Sequence, residues 1–124
     1  MVRQSAAALA ALFLVLTGLS ARAAGGDVEF YIGEDLYAQC SAPPAAADVA
    51  VRQARCAAYV MGVSDSLQAR QGAGGDSIVC LPGGTTAPQT VDAVRRFLET
   101  HPEKRQIAAE DLVREALSAA YPCR

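Results

Sequence analysis

Apolar positions recur at helical spacing in four stretches of this chain, and prolines or glycines separate the stretches. After the flexible Gly25-Gly26-Asp27, residues Phe30, Tyr31, Leu36, Tyr37 and Cys40 predict a first short helix over about 33–40. Ser41 to Pro44 breaks it, because Pro43 and Pro44 lack the amide hydrogen that a helix interior uses. From Ala46 to about Ala69 there is no proline, and Gly62 is the one glycine. There Val49, Cys56, Tyr59, Val60, Val63 and Leu67 advance by steps that keep to one face of a second, long helix. Asp48 stands near its start, where a carboxylate suits the helix dipole.

Gln71 to Gly75 reads as a glycine-rich loop, and Ile78 to Leu81 as a short apolar segment closed by Pro82-Gly83-Gly84. A third helix is predicted from about Pro88, with Val91, Val94, Phe97 and Leu98 as its apolar stripe. It ends before Pro102, since the residue preceding a proline disfavours the helical region. A fourth helix is predicted from about Pro102 to Ala120, burying Ile107, Ala108, Leu112, Val113, Ala116, Leu117 and Tyr121. The pattern contains no internal repeat and no alternation of strand type. The expected fold class is therefore all-α, a small four-helix domain.

The first two dozen residues have a different character. Arg3 gives a positive start, Ala6 to Leu16 an unbroken apolar run, and Ala21-Arg22-Ala23 small residues at the positions a signal peptidase inspects. Residues 1–23 are thus expected to be a secretory signal peptide, leaving a single domain over 24–124. The leader holds 2 of the 11 basic residues and no acids, so the mature chain carries 9 basic against 13 acidic residues, a net charge of −4. That balance disfavours nucleic acid and anionic membranes as partners, both of which need clustered Lys and Arg. In an exported chain of this size the four cysteines, Cys40, Cys56, Cys80 and Cys123, read as two disulfides, and three pairings are open. No Cys-x-x-Cys occurs and His101 is the only histidine, so no metal site is expected.

Catalytic groups are scarce. Gly62-Val63-Ser64-Asp65-Ser66 lacks the final glycine of a nucleophile elbow and lies within a predicted helix. His101, ahead of a proline at a helix junction, reads as a capping residue. Gly72 to Gly75 precedes no Lys-Ser/Thr pair, so it is not a phosphate loop. Glu110, Asp111 and Glu115 beside Arg114 form a solvated helix face. The chain is read as a non-enzyme with no cofactor.

The order of motifs carries a resemblance. Cys40 is followed by Cys56-Ala-Ala-Tyr59-Val-Met-Gly62-Val-Ser-Asp65, then Val79-Cys80-Leu81-Pro82, His101-Pro102-Glu103, and finally Tyr121-Pro122-Cys123. This resembles the Tai/Rap family, periplasmic immunity proteins of type VI secretion amidase effectors, over nearly the whole mature chain. The resemblance implies a periplasmic, disulfide-bonded, all-helical homodimer that binds a peptidoglycan amidase and blocks its cleft. Together with nearness along the chain it favours the pairings Cys40–Cys56 and Cys80–Cys123. It makes Tyr59, Gly62, Asp65, Pro82 and Pro122 structural. Tyr59, Gly62 and Asp65, three apart, share a helix face expected to pack on a neighbour, with Gly62 permitting close approach and Asp65 capping or bridging. An inhibitor needs a rigid scaffold and a protruding surface, and the 70–77 loop, with Arg70, Gln71, Asp76 and Ser77, is the expected partner-facing element. The competing expectation is a non-enzymatic envelope accessory module of the same fold with an unrelated partner.

Overall fold

Prolines and glycines stand at or near the helix boundaries throughout the computed structural model, which describes residues 30–75 and 77–124. Four α-helices follow one another: α1 over Gly33–Cys40, α2 over Val49–Gly72, α3 over Ala87–Thr100 and α4 over Ala109–Ala120. A single 3₁₀ turn, Pro102–Lys104, joins α3 to α4. Every helix packs against each of the other three. The shared core is built from Leu36, Val60, Val94, Leu98, Leu112, Val113 and Leu117, all essentially removed from water. The leader proposed for residues 1–23 lies outside the described residues.

Local chemistry explains most ends. Asp35, at the third position of α1, accepts the N–H of Ile32 at 3.2 Å. Gln89 does the same for Thr86 at the start of α3, at 2.8 Å, and Pro88 sits in the first turn. The α3 helix closes at His101, whose N–H reaches the Phe97 carbonyl at 3.0 Å. The second helix starts three residues later than expected and runs three further. Ala46 and Val49 are first used in short turns, their N–H groups bonding Pro43 and Ala46 carbonyls. At the far end a left-handed Gly74, φ 81°, makes the stop. The Gly74 N–H bonds the Gln71 carbonyl and the Gly75 N–H the Arg70 carbonyl, each at 3.0 Å, the paired bonds of a Schellman cap. A Cβ on Gly75 would stand 2.9 Å from the Arg70 carbonyl oxygen. The glycine run is therefore a helix terminator. Gly74→Val should cost about 1–2 kcal/mol, since a branched side chain strains the left-handed region. Gly72→Ala, where a Cβ meets nothing, should cost none, and chemical denaturation of both variants reads the difference.

The fourth helix departs from expectation at its start. Residues 105–108 are not helical, because the beginning of α1 takes their backbone groups. The N–H of Gly33 bonds the Ile107 carbonyl at 2.9 Å, that of Glu34 the Arg105 carbonyl at 2.8 Å, and Ala109 N–H the Tyr31 carbonyl at 2.9 Å. Ile32 and Ala108 form an antiparallel bridge. These bonds satisfy first-turn donors of α1 and α4 that no helix can satisfy internally. Ile107, expected in the core, is consequently 41% exposed. Arg105 fastens the same junction. Its Nε donates to the Leu98 carbonyl at 2.8 Å, and its guanidinium lies 3.4 Å from the centre of the Tyr37 ring.

Two disulfides hold this arrangement, Cys40–Cys56 and Cys80–Cys123, the pairings favoured above. The first is buried between α1 and α2. The second ties the segment after α2 to the C-terminus, where Val79 and Pro122 form a second antiparallel bridge and Cys80 N–H bonds the Tyr121 carbonyl at 2.8 Å.

Candidate partner-binding surface

The two candidate catalytic side chains, Ser64 and His101, are engaged in holding the fold. Ser64 is buried and its hydroxyl donates to the Val60 carbonyl at 2.8 Å, an ordinary back-bond within a helix. His101 stacks on Phe97 with ring centres 4.1 Å apart, and its Nδ1–H donates to the Phe97 carbonyl at 2.9 Å. Ser64 lies within α2 and His101 just past the end of α3, each satisfied locally, so they do not form a nucleophile–base pair.

The Tyr59, Gly62 and Asp65 motif on α2 is divided by the fold. Tyr59 is half-buried against Tyr31, with ring centres 5.0 Å apart. Burial pushes both phenols up, helped by Asp35 at Tyr31 (Arg55 opposing) and by Glu110 at Tyr59. Gly62 and Asp65 lie instead on the solvent side of α2. A Cβ on Gly62 would meet nothing within 4 Å, so this glycine makes no close approach. Asp65 is exposed and neither caps nor bridges any element among the described residues. The buried stripe is Cys56, Val60, Ser64 and Leu67, and a spacing of three rotates steadily away from it. Pro122 belongs to the bridge with Val79, and the Pro82 carbonyl accepts the Thr85 N–H and hydroxyl in a tight turn.

The residues expected on the 70–77 loop are placed differently. Arg70 and Gln71 belong to the last turn of α2. Gln71 is half-buried, and its Nε2 donates to the Val79 carbonyl, fixing the segment after the helix. Ser77 is exposed, and Asp76 lies outside the described residues. Gln71 thus supports the surface more than it offers a contact.

That surface is larger than the loop. Beside the end of α2, Leu67, Arg70, Gln71, Ile78, Val79 and Arg114 enclose a cleft of about 170 Å³. A shallower one of about 410 Å³ adjoins it, between Ile78, Ile107 and the outer face of α4 at Asp111, Arg114, Glu115 and Ser118. Ile78 and Arg114 border both clefts. Ile78 is 46% exposed, so two partly exposed isoleucines, Ile78 and Ile107, stand along these adjoining clefts, which together make one groove lined in part by apolar side chains. Charged pairs rim it: Arg114 with Asp111, and Lys104 with Glu115. An apolar centre with a charged edge is the anatomy of a protein interface. Sequence periodicity misses Ile107 because it assigns residues 102–108 to a helix. It misses Ile78 because a four-residue apolar segment has no period to read.

A comparison with curated proteins and one with solved structures found no match. The family model of Rap1a immunity proteins matches residues 32–123, a span from the first helix to the last cysteine that takes in all four helices and both disulfides. The chain belongs to the Rap1a immunity protein family, whose function is immunity against a secreted effector protein.

Proposed function

We propose that this chain is a periplasmic inhibitor, exported by cleavage after Ala23, that binds a peptidoglycan amidase effector and blocks its active-site cleft. The observation that carries this reading is the family match across residues 32–123. The groove between Ile78 and Ile107 supports it by supplying a partly apolar face on a scaffold held by two disulfides. The motif resemblance supplies the amidase and a homodimer. Blocking requires only tight placement of a surface, with no group of the inhibitor titrating or bonding covalently.

The oxidised protein, immobilised and exposed to the secreted effectors of its source cells, should retain a cysteine-dependent amidase at near-equal stoichiometry and abolish its activity. Light scattering should report a dimer, and mass spectrometry of the exported protein should find Ala24 as the first residue. Recovery of an unrelated envelope protein, or of none, would leave the family standing and favour the accessory-module reading. Ile78→Asp and Ile107→Asp should each weaken the complex by about 2 kcal/mol, roughly thirtyfold, if they sit at its centre. Being exposed, they should leave thermal stability within about 0.5 kcal/mol of the parent.

A further inference from the structure

The smaller cleft joins an apolar floor to two arginines. Leu67 and Val79, 8% and 3% exposed, are its most buried residues, and Arg70 and Arg114 border it. Among the described residues lining it there are two cations and no carboxylate, in a chain where acids outnumber bases 13 to 11. At about 170 Å³ it is too small for a cofactor or drug-sized ligand, which needs roughly 300–1,000 Å³. It is several times the roughly 30 Å³ that one water occupies in the liquid, enough for the end of one side chain. Arg114 spends a single Nη2 hydrogen bond on Asp111 among the described residues, and a guanidinium carries about five N–H donors. The Gln71 amide is committed to the Val79 carbonyl, so the cleft wall is preorganised before anything enters.

We infer that this cleft receives a carboxylate side chain presented by the partner, its methylene stem against Leu67, Val79 and Ile78 and its oxygens shared by Arg70 and Arg114. The assignment rests on the partner-binding reading of the groove and deepens it: the partner brings an acidic residue beside the apolar patch that covers Ile78 and Ile107. Arginine suits the role because its planar fork meets a carboxylate with two parallel bonds, stronger and more directional than a neutral contact.

The test uses the isotopically labelled, oxidised protein and two small probes, acetyl-glutamate amide and acetyl-glutamine amide, followed by NMR. The glutamate probe should shift the signals of Arg70, Gln71, Ile78 and Arg114, and bind at least roughly tenfold more tightly than its neutral isostere, as a charge-assisted bond implies. Arg70→Gln should remove that preference while the remaining spectrum stays unchanged. Equal responses to both probes, shifts mapping elsewhere, or none at the solubility limit would overturn the assignment. With an amidase effector in hand, Arg70→Glu should weaken the complex and a lysine in place of the matching effector carboxylate should restore it. An effector that fails to bind even the parent protein counts against the amidase reading alone. One that binds the parent and Arg70→Glu equally counts against the carboxylate cleft alone.

Discussion

Gly33→Ala should destabilise this protein by about 2–3 kcal/mol, the range of overpacked cores. Gly33 is buried at the first position of α1, with an ordinary backbone angle, so the penalty is purely one of space. A Cβ there would lie 2.1 Å from Leu112 Cδ1, and 2.9 and 3.0 Å from Arg105 Cα and carbonyl oxygen. Leu112 can turn aside, but it is 1% exposed and its neighbours are packed. Arg105 cannot, because its backbone accepts the Glu34 N–H and its side chain is tied to Leu98 and Tyr37. The helix would have to lift from the 105–109 junction and release the bonds that replace a fourth-helix turn. In a domain of this size the melting temperature should fall by roughly 10–20 °C. Gly33→Ala combined with Leu112→Val should cost less than the sum of the two, since the smaller side chain relieves one of the clashes and leaves the backbone clash intact. A Gly33→Ala protein as stable as the parent would show that α1 and α4 do not approach as described.

The contrast with Gly62 shows how much was legible in the chain. Both glycines sit in helices, and only Gly62 lies in the motif that resembles a family signature, so close approach is expected at Gly62. The structure puts it at Gly33 and leaves Gly62 in solvent, where Ala should even add about 0.5–1 kcal/mol of helix stability. Spacing identifies which residues share a face. It does not say which face the rest of the chain covers, and that depends on contacts between residues far apart in sequence.

The same distinction separates the other expectations. The break at Pro43-Pro44, the start of α3 near Pro88 and its end before Pro102 follow from local backbone chemistry, and all three are legible. The start of α4 is not, because the carbonyls of Arg105 and Ile107 are claimed by amides of α1. The favoured cysteine pairings and the all-α class agree with the structure. The proposed partner surface is half legible: Arg70 stands at its edge, while Ile107 and Arg114 join it only once α4 begins late and turns its outer side toward Ile78.

The second large effect concerns the disulfides, which should not respond alike to a reductant. Cys40 and Cys56 are 8% and 1% exposed, whereas Cys80 is exposed and Cys123 half-exposed. Exchange begins when a thiolate reaches a disulfide sulfur in line, so access decides the order. Under graded dithiothreitol followed by alkylation and mass spectrometry, Cys80 and Cys123 should be labelled first, with Cys40–Cys56 intact. The Cys80–Cys123 bridge spans a sequence separation of 43 residues. The chain-entropy account of cross-linking assigns such a loop about 4 kcal/mol, against about 3 for the shorter one. The more exposed bridge is thus also the more stabilising one. Its loss should reach function through a particular path: Cys80 anchors the segment carrying Ile78, which otherwise depends on the Val79–Pro122 bridge, the Tyr121 carbonyl and the Gln71 amide. Hydrogen exchange should therefore quicken first at residues 77–81 and 121–123, and affinity for the partner should fall before the helices lose protection. Labelling of Cys40 and Cys56 first would mean that the buried bridge is the more labile, and labelling of all four together that the two bridges open as one unit; either result would show that the groove is no more labile than the core.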